Sequence, residues 1–147
     1  MKAVVQRVDS CIVSVSKQEI SKIGRGLVCY LGIAKTDKDS DLDWMVKKVA
    51  GLRIFPDKSD RMNLSVLDLS LPVLVISQFT LFGDVRRGFR PSFSDAEEPQ
   101  RAKILYEEFM RRLNLAGVKE VFGGVFAADM SILQLNSGPV TIELDSN

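Results

Sequence analysis

The sequence contains no histidine. That absence excludes a Ser-His-Asp triad, a Cys-His nucleophile pair and any zinc centre built on imidazole. Cysteine is scarce too: Cys11 and Cys29 are the only two, each inside an apolar, β-rich run. A bridge between them stays open, but buried reduced thiols are the expectation, and with no ligand cluster in sight neither a metal nor a cofactor is expected. Charge of one sign does not dominate either. With 20 basic and 19 acidic side chains the net charge is +1, so nucleic-acid binding has no global electrostatic signature and must rest on local features. No apolar run reaches membrane-spanning length and the first residues alternate like a strand, so neither a leader nor a membrane contact is expected, and the location is read as cytoplasmic. Repeats, low-complexity tracts and long linkers are missing as well. If such a chain is an enzyme, it works with hydroxyls, amides, main-chain groups or its own substrate.

What is present is enough for a core. At 147 residues the chain is read as one domain, 1–147, and its 46% hydrophobic and 27% charged residues place it among globular proteins. Residues Lys2 to Val8 and Cys11 to Val15 read as two strands. Gly24 and Gly26 lead into a third, Leu27 to Ala34, apolar enough to be buried on both faces. Leu42, Met45, Val46 and Val49 fall at helical spacing, predicting a helix from about Ser40 to Leu52. The stretch Asp57 to Arg61 is turn-rich, and Pro72 opens the strongest strand, Val73 to Thr80. Pro99 suits the first turn of a second helix, whose stripe of Ala102, Leu105, Tyr106, Phe109 and Leu113 ends at Gly117. Lys119 to Phe122, Met130 to Leu135 and Val140 to Leu144 read as closing strands. Many strands with two good helices predict an α+β fold.

Two segments offer chemistry. The first, Ser77-Gln78-Phe79-Thr80-Leu81, closes the strongest strand. Alternation puts Gln78 and Thr80 on one face, Ser77 and Phe79 on the other. A strand simply leaving the core accounts for these polar groups on its own terms. Read functionally, Ser77 and Thr80 supply hydroxyls and Gln78 a neutral amide. An alcohol nucleophile needs an activating base, and the sequence nominates none, so positioning or oxyanion stabilisation is the more economical role.

The second is Asn136-Ser137-Gly138-Pro139-Val140-Thr141. From composition it is a hairpin turn. Yet an X-Pro bond is cis at small cost, and Gly138 lets another chain approach closely. Such a turn can aim main-chain carbonyls at a ligand.

Together these segments resemble the signature motifs of the D-aminoacyl-tRNA deacylases, the D-tyrosyl-tRNA deacylase family. Lys2-Ala3-Val4-Val5-Gln6-Arg7-Val8, Leu52-Arg53-Ile54-Phe55, Met62-Asn63-Leu64-Ser65, Arg90-Pro91-Ser92-Phe93 and Ala128-Asp129-Met130 extend the resemblance over the whole chain. Ala127, where glycine is expected, and Phe89 depart from the pattern. The resemblance implies two packed, barrel-like sheets covered by two helices. It implies a homodimer that hydrolyses the ester of D-aminoacyl-tRNA, and of mischarged glycyl-tRNA, at the tRNA 3′ end, with no role for DNA. It implies catalytic roles for Ser77, Gln78, Phe79 and Thr80, with help from the tRNA 2′-hydroxyl. Ser137, Gly138 and Pro139 would bind substrate from the neighbouring subunit, Gly138-Pro139 being cis and its carbonyls rejecting an L side chain. Arg7 would hold that incoming turn, and Met130 would line the pocket or simply pack.

Arg86, Arg87 and Arg90 form a basic loop just after the first motif. A solvated loop is the ordinary reading; beside an RNA ester they can steer phosphate. Phe89 and Phe93 lie among them, Phe89 as a candidate to stack on adenine and Phe93 more as a core anchor. Two alternatives remain at this stage: a tRNA-binding module without catalysis, and a purely structural dimerisation domain.

Overall fold

In the computed structural model, which describes residues 1–146, the two opening strands are one, β1 (Lys2–Val15). The interruption at Asp9 and Ser10 is a bulge, where the register against the last strand slips. An extra residue reverses which side chains face which side of a strand. Ala3 and Val5 accordingly join one core cluster, and Cys11 and Val13 join the other.

β3 (Gly26–Gly32) and β6 (Val73–Ser77) form the buried centre, running parallel. β2 (Gln18–Ile23) and β7 (Val121–Gly123) lie at the two ends of the order β2-β1-β3-β6-β7, while β8 (Met130–Asp145) pairs along β1, making six strands in all. The sheet curls until its ends meet: Ser21 Oγ donates to the Gly123 carbonyl at 2.6 Å, from β2 to β7. The barrel is nearly closed. A second, small sheet joins β4 (Phe55–Pro56) to β5 (Met62–Leu64). Its turn is the predicted one, with Asp57 accepting the N–H groups of Ser59 and Arg61.

α1 (Asp39–Gly51) and α3 (Pro99–Leu115) lie within a residue or two of where their apolar stripes place them. The Asp41 carboxylate accepts the Lys38 N–H at 2.8 Å at the start of α1. α3 begins on Pro99, and Gly117 follows it at φ +105°, a conformation that favours glycine. Arg112 of α3 binds Asp39 and Asp43 of α1 at 2.5 and 2.6 Å, locking the helices side by side. A one-turn helix, α2 (Val66–Leu69), was not legible in the sequence; Ser65 and Asp68 cap it reciprocally.

The helices pack on one face of the sheet. Odd residues of the central strands, Leu27, Cys29, Leu31, Val73 and Val75, meet Leu42, Met45, Val49, Phe109 and Leu113 there. Even residues, Val28, Leu74 and Ile76, point into the barrel with Val8, Cys11 and Val13. Wholly buried side chains such as Phe55 and Phe109 each contribute about 1.5–3 kcal/mol of hydrophobic stabilisation. The α+β, barrel-like fold with helices over an outer face is thus the one observed.

Candidate active site

β6 stops at Ser77, sooner than its sequence suggests. The Gln78 N–H makes one more ladder bond, to the Leu31 carbonyl at 2.8 Å, and Phe79–Phe82 then coil into a 3-10 turn. Thr80 is therefore not on the strand, and the strand alternation fails beyond Ser77. Gly32 makes the turn possible. A Cβ there would lie 3.0 Å from the Phe82 ring and 3.1 Å from the Gln78 carbonyl oxygen. The turn brings Gln78 onto its neighbour, with Nε2 donating to Thr80 Oγ1. That is the only side-chain hydrogen bond to Thr80 among the described residues.

Ser77, Gln78 and Phe79 open onto a cleft of about 690 Å³. Its other walls come from the segment before α3, from Ala102 within it, and from residues Phe126 to Met130. Phe93 meets Phe79 edge-on, with ring centroids 5.1 Å apart. Glu97 is held in the wall by Arg101, whose other nitrogen donates to the Asp37 carbonyl at 2.7 Å. Ala127 sits at φ +60°, the left-handed region, so the expectation of glycine there has a backbone cause.

The second motif lies elsewhere in the chain. It is not a hairpin: β8 continues through it with Ser137 to Val140 bulged out opposite Arg7, and the Gly138-Pro139 bond is cis. The faces swap across it, as across the β1 bulge. Ile132 packs against the barrel-interior cluster, whereas Val140, Ile142 and Leu144 belong to the helix-side core. Arg7 reaches the motif from β1, its Nε donating to the Ser137 carbonyl at 3.2 Å and its Nη1 to the Ile54 carbonyl at 2.6 Å. On the other side of β8, Gln134 Nε2 donates to Gln6 and Asn136, each at 2.6 Å, while Gln134 Oε1 accepts from Tyr30 Oη at 2.9 Å. Gln6 Nε2 completes the row with a 3.1 Å bond to Thr141 Oγ1. The turn is thus gripped from both sides, while Gly138 itself is exposed, and a Cβ added to it would meet nothing within 4 Å.

Of the predicted residues, Ser77, Gln78, Phe79 and Met130 share the cleft, and Thr80 adjoins it through Gln78. Arg7 and Pro139 instead line a smaller groove of about 370 Å³. In the sheet register Arg7 faces Leu27 and Ser77 faces Leu31, four positions further along β3. That is roughly 13 Å along the strands, with three strand spacings, about 14 Å, between β8 and β6. Phe89 lies outside both hollows and is fully exposed. Reading the sequence misses Phe126 and Ala102 as cleft walls. The Gly123-Gly124 pair before Phe126 is the one local signal: a Cβ at Gly124 would lie 2.5 Å from the Met130 sulfur. Among the described residues no three His, Cys, Asp or Glu gather as metal ligands, and no helix is long and apolar enough to cross a membrane.

The family described as D-Tyr-tRNA(Tyr) deacylase matches residues 4–145. The D-aminoacyl-tRNA deacylase of Clostridioides difficile (strain 630) is 50% identical over 147 residues, spanning 100% of this chain and 98% of that protein. Among solved structures, the c-Myc DNA unwinding element binding protein superposes with a TM-score of 0.95 at 40% identity, over 100% of this chain and 99% of that one. A probable eukaryotic D-amino acid tRNA deacylase shares the fold, with a TM-score of 0.83 at 17% identity over 97% of each chain. With the match running from the first strand to the last and taking in both motifs, the chain belongs to the D-Tyr-tRNA(Tyr) deacylase family.

Proposed function

We propose that this protein hydrolyses the ester of D-aminoacyl-tRNA, releasing the D-amino acid and free tRNA, and that it spares the L form. The observation that carries this reading is the cleft beside Gln78, together with what surrounds Thr80. The cleft is large enough for a terminal nucleoside and its aminoacyl group, and its aromatic, aliphatic and small side chains are joined by Lys35, Glu97, Glu98 and Asp129. Thr80 Oγ1 accepts a bond from the Gln78 amide and touches no base. A hydroxyl in that position is a poor nucleophile. An aminoacyl ester is already activated, so orientation and a stabilised oxyanion suffice. The main-chain N–H groups that open the 3-10 turn have no partner inside it and suit a developing oxyanion. The adjacent 2′-hydroxyl of the terminal ribose then supplies the assistance that no side chain bonded to Thr80 offers.

Chirality requires a second copy of the chain. Gly138-Pro139 is exposed and held rigidly, yet it is strands away from the cleft it would complete. In a two-fold dimer the same patch of each chain faces the other, and the turn of one subunit enters the cleft of its partner. Carbonyls on a turn whose Gly138 lacks a Cβ hold the substrate amino group and clash with an L side chain, so selection works by exclusion and serves many D residues as well as glycine. The site is cytoplasmic in this reading, where charged tRNA is found.

The test is hydrolysis of D-tyrosyl-tRNA and L-tyrosyl-tRNA under the same conditions. Turnover of the D ester at least about a hundredfold faster is expected, the effect of roughly 3 kcal/mol of clash in the transition state. Binding without turnover would replace the esterase by a tRNA-binding module, and neither binding nor turnover would leave a structural dimer.

A further inference from the structure

The loop between the 3-10 turn and the cleft wall is built to present its tip. Asp84 and Ser92 exchange main-chain bonds at 2.8 and 2.9 Å across its base. Asp84 also takes the Arg86 main-chain N–H at 2.9 Å and its guanidinium in a two-pronged pair at 2.9 and 2.7 Å, which consumes that arginine structurally. Below the base, a Cβ at Gly83 would lie 3.1 Å from the Phe93 ring, and Phe93 in turn packs against Phe79 at the cleft. The loop is therefore continuous with the wall of the site. At its tip the Gly88 N–H closes a turn onto the Val85 carbonyl at 3.3 Å, with Gly88 at φ +143°.

What the tip presents is unusual. Phe89 exposes 106% of its reference surface, so its ring packs on nothing in the chain. Arg87 and Arg90 flank it, both exposed and neither with an ion-pair partner among the described residues. A free aromatic ring between two free guanidinium groups matches single-stranded RNA, whose bases stack on rings while its phosphates take arginine. A duplex would offer no unstacked base to such a ring.

We propose that this tip grips the unpaired nucleotides just 5′ of the terminal adenosine, Phe89 stacking on a base and Arg87 and Arg90 holding phosphates. The inference rests on the deacylase reading, because that reading puts the terminal adenosine in the adjoining cleft. It assigns to the protein an RNA contact beyond the ester site, formed by residues that take no part in the chemistry.

The experiment compares D-tyrosyl-tRNA with D-tyrosyl-adenosine, which carries the ester but no upstream nucleotide. For Phe89→Ser, and separately for Arg87→Gln/Arg90→Gln, KM for the tRNA should rise roughly five- to hundredfold. Hydrolysis of D-tyrosyl-adenosine should stay within about twofold, since no upstream base or phosphate is present to be gripped. The double variant should also lose roughly 1.4 from the slope of log KM against log salt, about 0.7 per lost phosphate contact. An unchanged KM for the tRNA, or equal losses on both substrates, would overturn the inference. If the unaltered protein hydrolyses neither ester, the deacylase reading itself fails, which is a separate outcome.

Discussion

At the residue scale, the site is defined by which hydroxyl touches what. Thr80 lies in the 3-10 turn just past an apolar strand and invites the role of nucleophile, but its oxygen accepts from the Gln78 amide and has no base bonded to it. Thr80→Ala should therefore lower kcat by no more than about tenfold, close to 1.4 kcal/mol. Substrate in which hydrogen replaces the terminal 2′-hydroxyl should lose far more. Single-turnover rates for the two changes check this; a trapped acyl ester on Thr80, or complete inactivity of a folded Thr80→Ala protein, would contradict it. The family resemblance also singles out Ala127, as a departure from glycine. The expectation of glycine there corresponds to a backbone at φ +60°, which alanine adopts at a cost of about 1–2 kcal/mol. Phe89 shows the opposite case. Its place among the loop arginines made it a candidate to stack on adenine, but nothing in a linear sequence reports that a loop has turned a ring away from the cleft, where Phe79, Phe93 and Phe126 stand instead.

At the element scale, what was legible is whatever has a strong period. The stripes of α1 and α3 and the buried runs of β3 and β6 are of this kind. Three things were hidden for physical reasons. β2 is exposed along most of its length, so its side chains carry no alternation. β1 and β8 each contain an irregularity that reverses the faces, and a pattern that reverses reads as two strands with a turn between. The 3-10 turn after β6 is fixed by a distant partner, Gly32, and not by its own residues.

That dependence makes Gly32→Ala a test of how the turn is placed. The added methyl must displace the Phe82 ring or the Gln78 backbone, so kcat should fall while the protein stays folded, with circular dichroism as the control. Wild-type kcat in that variant would show that the turn is not held where the account puts it.

The central strands also carry a pH dependence. Burial raises the thiols of Cys11 to about 11 and Cys29 to about 12, from an ordinary 9.0. A folded-state pKa above the unfolded one means that the folded form holds its proton more tightly. The stability this confers is complete below about pH 9 and is lost as the pH climbs toward 11 and 12. Urea midpoints at pH 8 and pH 10 should show the decline, and Cys29→Ala should make it shallower. The same pH dependence in that variant would assign the decline to other groups.

At the scale of the whole molecule, the two motifs that make the chain recognisable do not meet within one copy of it. Ser77-Gln78-Phe79 faces the large cleft, while Arg7 and Pro139 line another groove, strands away. Yet both places are braced as functional sites are. The row from Tyr30 through Gln134 to Thr141 and the Arg7 clamp fix a turn whose glycine is exposed, with open space where a Cβ would stand. A rigid, exposed feature with no internal partner is what a two-fold assembly uses to complete a neighbour. The family resemblance implied this division; motif order alone says nothing about which copy supplies which motif.

The most direct measurement is subunit complementation. Gln78→Ala removes a group from the cleft, and Gly138→Trp blocks the turn; each homodimer alone should be nearly inactive on D-tyrosyl-tRNA. Co-expressed, the two chains should form mixed dimers in which one cleft has an intact Gln78 facing an intact Gly138. Activity should return to about a quarter of the unaltered level, the share of intact composite sites when subunits assort at random under two-fold symmetry. If each chain instead built its whole site alone, every site would carry one lesion, and co-expression would restore nothing.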